Sequence, residues 1–306
     1  MRAIKAATVL CLALGLTRPA WAAEDRPPAR LTATSKWRMD YADDSCALLR
    51  GYGEGNGKVV MSMEQFEPGD TFFLTLAGKP VFTADEMREM RIRFGPSEDW
   101  QSVSHYRGYG KDRIPIAFIL PAVRLAATPA PEQITASERE PNRPAMTPER
   151  ENRVTEFYFD TGRGPKGITM LDLGPMGAPM AALHKCMEDL VTTWGLNWDE
   201  QKRLLHPATP KTNPGEWMKS ADYPTLALRD GARAIINFRL MLDANGDATS
   251  CHIQNAVGGP EFEKAVCDKV MKRASFEPAL NAEGKPVPSY YICTVRFDIP
   301  NRPHKP

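Results

Sequence analysis

The residues best suited to catalysis are Asp160-Thr161-Gly162, which close the apolar run Phe157-Tyr158-Phe159. Aspartic peptidases use such a triplet to set one carboxylate beside a second, so that the two share a proton. This chain has no second Asp-Thr-Gly or Asp-Ser-Gly, and Arg163-Gly164-Pro165 follow where small apolar residues belong. That chemistry would therefore need a homodimer. A turn at a strand end uses the same residue types, because Asp and Gly both favour turns. An aspartyl peptidase is kept as the alternative reading. His105, His184, His206, His252 and His304 stand singly, with no CxxC or HxxxH spacing that would hold a metal. The run Gly51 to Gly57 lacks the spaced lysine and following helix of a phosphate loop and reads as a turn. Arg88, Arg91 and Arg93 form a local basic strand face, and a net charge of +1 argues against a nucleic-acid partner.

The elements around these residues predict an α+β chain. Trp37–Arg50, Lys58–Phe66, Asp70–Leu76, Met90–Phe94, Ile114–Leu120 and Val154–Asp160 read as extended stretches or strands, separated by Gly and Pro clusters. Ala178–Trp194 carries a helical stripe of Leu183, Met187, Leu190, Val191 and Trp194. Residues 31–196 thus form a β-rich domain closed by a helix, and no function is read from it. Within it, the Pro-rich and charged stretch 127–151 cannot bury enough apolar surface to fold and reads as a disordered loop. Residues 197–219, with Pro207, Pro210 and Pro214, read as a semi-extended linker.

The last part is the most regular. Ala234, Ile236, Phe238, Leu240 and Leu242 alternate with Asn237 and Arg239. Tyr291, Cys293, Val295 and Phe297 alternate with Thr294, Arg296 and Asp298. Between these strands lies Ala248–Asn255, where Cys251 and Ile253 oppose Ser250 and His252. Phe262, Val266 and Val270 repeat every four residues along a helix over 260–273. The pattern predicts a three-stranded antiparallel sheet with one face under the helix and the other wet.

Five landmarks punctuate residues 220–300: Tyr223-Pro224, the Asp243–Gly246 hairpin, Gly258-Gly259, Phe276-Glu277-Pro278-Ala279, and Gly284-Lys285-Pro286-Val287. In this order they resemble the C-terminal domain of the TonB energy-transducer family. The chain departs from the family where Ala234 replaces a glycine and where Ala256-Val257-Gly258 replaces Ser-Ser-Gly. The resemblance implies a non-enzymatic binding domain that adds a partner's extended segment to its sheet edge. The implied partner is an envelope protein such as an outer-membrane TonB-dependent receptor, with no cofactor or metal. The final strand is the expected edge, with Tyr290, Ile292, Thr294, Arg296 and Asp298 along it. A purely structural envelope protein differs from this only in lacking a specific partner.

Arg2 and Lys5 precede the apolar run Ala6–Leu16, and Ala20-Trp21-Ala22 suits a signal peptidase. Residues 1–22 therefore read as a cleavable signal, with the family pointing to the periplasm; left uncleaved, the segment would tether the chain to the inner membrane. In an oxidising compartment disulfides are the default for cysteines. Cys251 faces inward and Cys267 borders the helix stripe, so they suit one another, and the chain-entropy model gives such a bond roughly 3 kcal/mol. Cys293 also faces inward and competes. With Cys251–Cys267 formed and Cys293 left as a core thiol, Cys46 and Cys186 remain to pair.

Overall fold

Alternating apolar and polar residues in the first domain build one long curled sheet. The computed structural model describes residues 27–81, 90–125, 146–162 and 167–299; the expected signal at 1–22 lies outside them. The strands are β1 (Ala29–Leu31), β2 (Arg38–Tyr41), β3 (Cys46–Tyr52), β4 (Val59–Gln65), β5 (Thr71–Ala77), β6 (Met90–Phe94), β7 (Gln101–Tyr109), β8 (Pro115–Arg124), β9 (Glu156–Asp160) and β10 (Ile168–Asp172). They are ordered β1-β10-β9-β6-β7-β8-β5-β4-β3-β2. Among the described strands only the β1–β10 pair is parallel. Thr34 N–H donates to the Gly51 carbonyl at 2.9 Å and Gly53 N–H to the Thr32 carbonyl at 3.0 Å, so the two ends of the sheet meet. Closure of this kind hides strand edges from unwanted pairing.

Val59, Met61 and Met63 of β4 and Phe72, Leu74 and Leu76 of β5 are buried, while the residues between them are less so. Phe72, Phe94, Phe157 and Phe159 continue the core through ring contacts of 5.9, 4.8 and 6.2 Å. Helix α2, Gly177–Thr193, sets Met180, Leu183, Met187 and Leu190 into the same core. The Cys46–Cys186 disulfide, with Cα atoms 6.2 Å apart, ties that helix to β3.

Two expectations change here. Residues 127–145 of the expected loop lie outside the described part, but its end is ordered as α1, Pro148–Arg153. Thr147 caps this helix by accepting from Arg150 N–H, and Pro148 sits in the first turn, where a missing N–H is harmless. One of the prolines that suggested disorder is therefore a helix start. Residues 197–219 are likewise more than a tether. They form α3 (Trp198–Gln201) and β11 (Thr209–Pro210), and β11 pairs with β14, Phe276–Glu277. Trp217 is fully buried, its ring 5.5 Å from Phe276 and 5.6 Å from Tyr291. Proline spacing suggested a spacer, but one apolar anchor among the prolines straps the segment to the C-terminal core.

That core belongs to α4 (Thr225–Asp230), β12 (Ala234–Leu242), β13 (Ala248–Val257), α5 (Pro260–Arg273), the short pair β15 (Ala279–Leu280) and β16 (Pro286–Val287), and β17 (Ser289–Phe297). The three long strands form an antiparallel sheet in the order β13-β12-β17. Phe262, Val266 and Val270 of α5 are wholly buried against Ile236, Phe238 and Leu240. Cys251–Cys267 staples α5 to β13 with a Cα separation of 5.6 Å. Ala234, the departure from the family's glycine, fits for a local reason. Gly258, at φ 140°, faces it so closely that a side chain there would come within 2.6 Å of the Ala234 methyl.

The start of the domain is held by charge. Asp222 accepts from the Lys219 N–H at 2.8 Å and from Arg273 Nη2 at 3.1 Å, with Lys269 3.4 Å away. Hydrogen bonds from Arg273 hold its carboxyl well below the usual carboxylate range. Tyr223 packs between Phe262 and Phe297 and donates its hydroxyl to the Ala232 carbonyl.

Candidate docking edge

β12 is the middle strand of the C-terminal sheet, so β17 and β13 are its two edges. Among the described residues no strand pairs with the outer side of β17. Register fixes which way its side chains point. Tyr291, Cys293, Val295 and Phe297 lie opposite Leu240, Phe238, Ile236 and Ala234, on the side of the helix. Tyr290, Ile292, Thr294 and Arg296 lie opposite Met241, Arg239, Asn237 and Ile235, on the other side. Asp298 follows the end of the strand, is exposed, and accepts from Arg296 at 3.0 Å. Cys293 stays unpaired, and burial pushes its thiol up from the ordinary value.

The second face of the sheet is not wet. Asn237 and Arg239 are each only 4% exposed. The first domain covers them. Arg239 Nη1 donates to Asp44 at 2.7 Å, and the guanidinium lies 3.9 Å over the ring of Trp194. Burial pulls this guanidinium down from its ordinary value, and Asp44 opposes the shift. Gln254 reaches from β13 to the carbonyls of Asp44 and Phe66 at 3.1 and 3.0 Å. Tyr290 packs edge-on against Trp194 at 5.2 Å. Beside Thr294 and Asn237, a small cavity of about 70 Å³ is closed by Phe66, Phe73, Thr75 and Phe118. Alternation alone cannot foresee this, since a face destined for another domain carries the same polar residues as one destined for water. His252, Arg296 and Asp298 are exposed as expected, and His252 lies 3.1 Å from the Ser250 hydroxyl.

The Cys46–Cys186 bond bears on this contact. Asp44 lies just ahead of Cys46, and Trp194 caps the helix that carries Cys186. The disulfide thus holds together the two residues that grip Arg239. Asp44 drew no attention in the sequence, and Trp194 read only as the last member of the apolar stripe of its helix.

The remaining candidates resolve into structure. Asp160 is buried, pairs with Arg91 of the neighbouring β6, and accepts from Gly162 N–H at 2.9 Å. Gly162 has φ 73°, and Thr161 N–H donates to the Gly167 carbonyl at 3.2 Å. This is a carboxylate bonded to the backbone just after β9 and neutralising an arginine. A proton-sharing dyad needs a second carboxyl in that place. Arg93 stacks 4.6 Å from both Trp100 and Tyr158, so the basic face is engaged by aromatic rings; Arg88 lies outside the described residues. Gly55–Gly57 forms a single 3₁₀ turn.

A three-stranded sheet under one helix, stapled to it by a disulfide and ending in an edge strand, defines a small helix-on-sheet module. Residues 219–299 match the family model of the Gram-negative bacterial TonB protein C-terminal, and the chain carries a TonB-family C-terminal domain over those residues. The match leaves the first domain unassigned. A search of curated proteins found no match to the chain.

Proposed function

We propose that the protein is a periplasmic interaction module that docks an envelope protein by strand addition along β17, in the service of TonB-dependent transmembrane transport. The observation that carries this reading is the position of β17, an edge strand within a TonB-family domain. In strand addition, main-chain hydrogen bonds supply affinity and alternate side chains supply selectivity. Tyr290, Ile292, Thr294 and Arg296 form one such alternate row and Cys293, Val295 and Phe297 the other. The partner proposed is an outer-membrane TonB-dependent receptor.

Crosslinking pull-down from the periplasm tests it. The mature chain should capture an envelope partner, and a chain ending at Arg273, which lacks β17, should not. Undiminished capture by the shortened chain contradicts the proposal. Sequencing the recovered protein's N-terminus tests its place in the envelope. Ala23 as first residue fits a released adaptor, whereas an intact Met1 in the membrane fraction fits a tethered transducer.

A further inference from the structure

The two halves of β17 are not equally accessible from the side. A cavity of about 140 Å³ touches Ser289, Tyr290, Tyr291 and Ile292 in succession. Neighbouring residues of a strand point to opposite faces. A space that meets four in a row therefore lies beside the strand's edge, where an added strand would run. Its far walls are Glu67 and Pro68, in the turn after β4 of the first domain, and Leu204, Pro207 and Ala208 of the strap before the C-terminal domain. At ~30 Å³ per water the space holds four or five waters, far less than four residues of peptide. An added strand must also sit about 4.8 Å from its neighbour along the whole paired length.

These walls are held firmly. Leu205 N–H donates to the Leu280 carbonyl at 2.8 Å, and Leu280 N–H returns a bond to the His206 carbonyl at 2.8 Å. Gln201 donates to the Pro288 carbonyl at 2.9 Å and accepts from Ser289 Oγ at 2.8 Å. Ala208 belongs to the C-terminal core. On the other side Gln254 bonds the Phe66 carbonyl at 3.0 Å, next to Glu67 and Pro68.

We propose that the first domain and the strap shorten the docking edge, so that a partner pairs only with Cys293–Phe297. The occupant is an extended peptide segment whose chain ends or turns away beside Ile292. This rests on β17 being the docking edge. Its own content is that the rest of this chain, not the TonB-family domain alone, sets how long the bound segment is.

The experiment takes linear peptides selected from a random phage-displayed library on the intact mature chain and maps them by amide hydrogen exchange. Bound peptide should slow exchange in residues 293–297 by about tenfold or more and leave 289–292 unchanged. Protection running through 289–292 as well overturns the shortened edge while leaving β17 as the docking strand. Failure to select any peptide that protects β17 overturns the docking reading and the shortened edge together.

Discussion

The two faces of β12, the middle strand of the C-terminal sheet, are buried to a similar degree by opposite means. Toward α5, Ile236, Phe238 and Leu240 meet Phe262, Val266 and Val270, and burial rests on apolar area. Toward the first domain, Asn237 and Arg239 are equally inaccessible, yet the contact rests on an ion pair, a stacked tryptophan and amide bonds to backbone carbonyls. The first face makes the domain fold. The second, which buries the polar side chains of Asn237 and Arg239, joins the domain to the rest of the chain.

Adjacent residues of β12 let this contrast be broken most directly. Phe238→Ala should destabilise the protein by about 4 kcal/mol, from lost transfer energy and the cavity left behind. Urea denaturation followed by circular dichroism measures it. Arg239→Ala should cost less, about 2 kcal/mol, because Asp44 keeps partial access to water. It should also loosen the domain contact, seen as a larger radius of gyration in small-angle scattering with the C-terminal core intact. Equal losses from the two substitutions would erase the distinction between a folding face and a joining face.

The smallest effect lies in the first domain and has the opposite sign. Burial, with Asp70 nearby, pushes the Glu151 carboxyl up to about 7, and burial lowers His184, whose Nε2 is 3.5 Å from it. The folded state therefore binds a proton more tightly than the unfolded chain does, and this residue's share of the stability falls as pH rises from the ordinary carboxylate range to about 7. Glu151→Gln should raise stability by roughly 1 kcal/mol near pH 8 and by little near pH 5. Thermal melts at both pH values check this, and a variant equally stabilised at both would contradict it.

Alternation was legible where one row of an element's residues is apolar throughout. β12, α5 and β17 fall within two residues of the bounds that apolar spacing predicts, because the row of each that meets the domain's own core is apolar. In the first domain β4, β5 and β6 were legible for the same reason. β7 was not: it reads Gln-Ser-Val-Ser-His-Tyr-Arg-Gly-Tyr, with Val103 as the one buried apolar residue among the side chains described. β10 was missed as well, since Ile168–Asp172 is short and both Thr169 and Met170 are buried, which blurs a period of two. The outer position of β17 follows from the strand order β13-β12-β17. The grip on Arg239 and the wall beside Ile292 could not, because Asp44, Glu67, Trp194 and Leu204 meet these strands only across long sequence distances.

Docking on the outer side of β17 is tested by a photo-crosslinking amino acid placed at two positions in living envelopes. Arg296 is exposed on β17, and Thr249 is exposed on β13, the opposite edge. An adduct with an envelope protein is expected from position 296 and none from position 249. Adducts from 249 alone, or equal adducts from both, would contradict it.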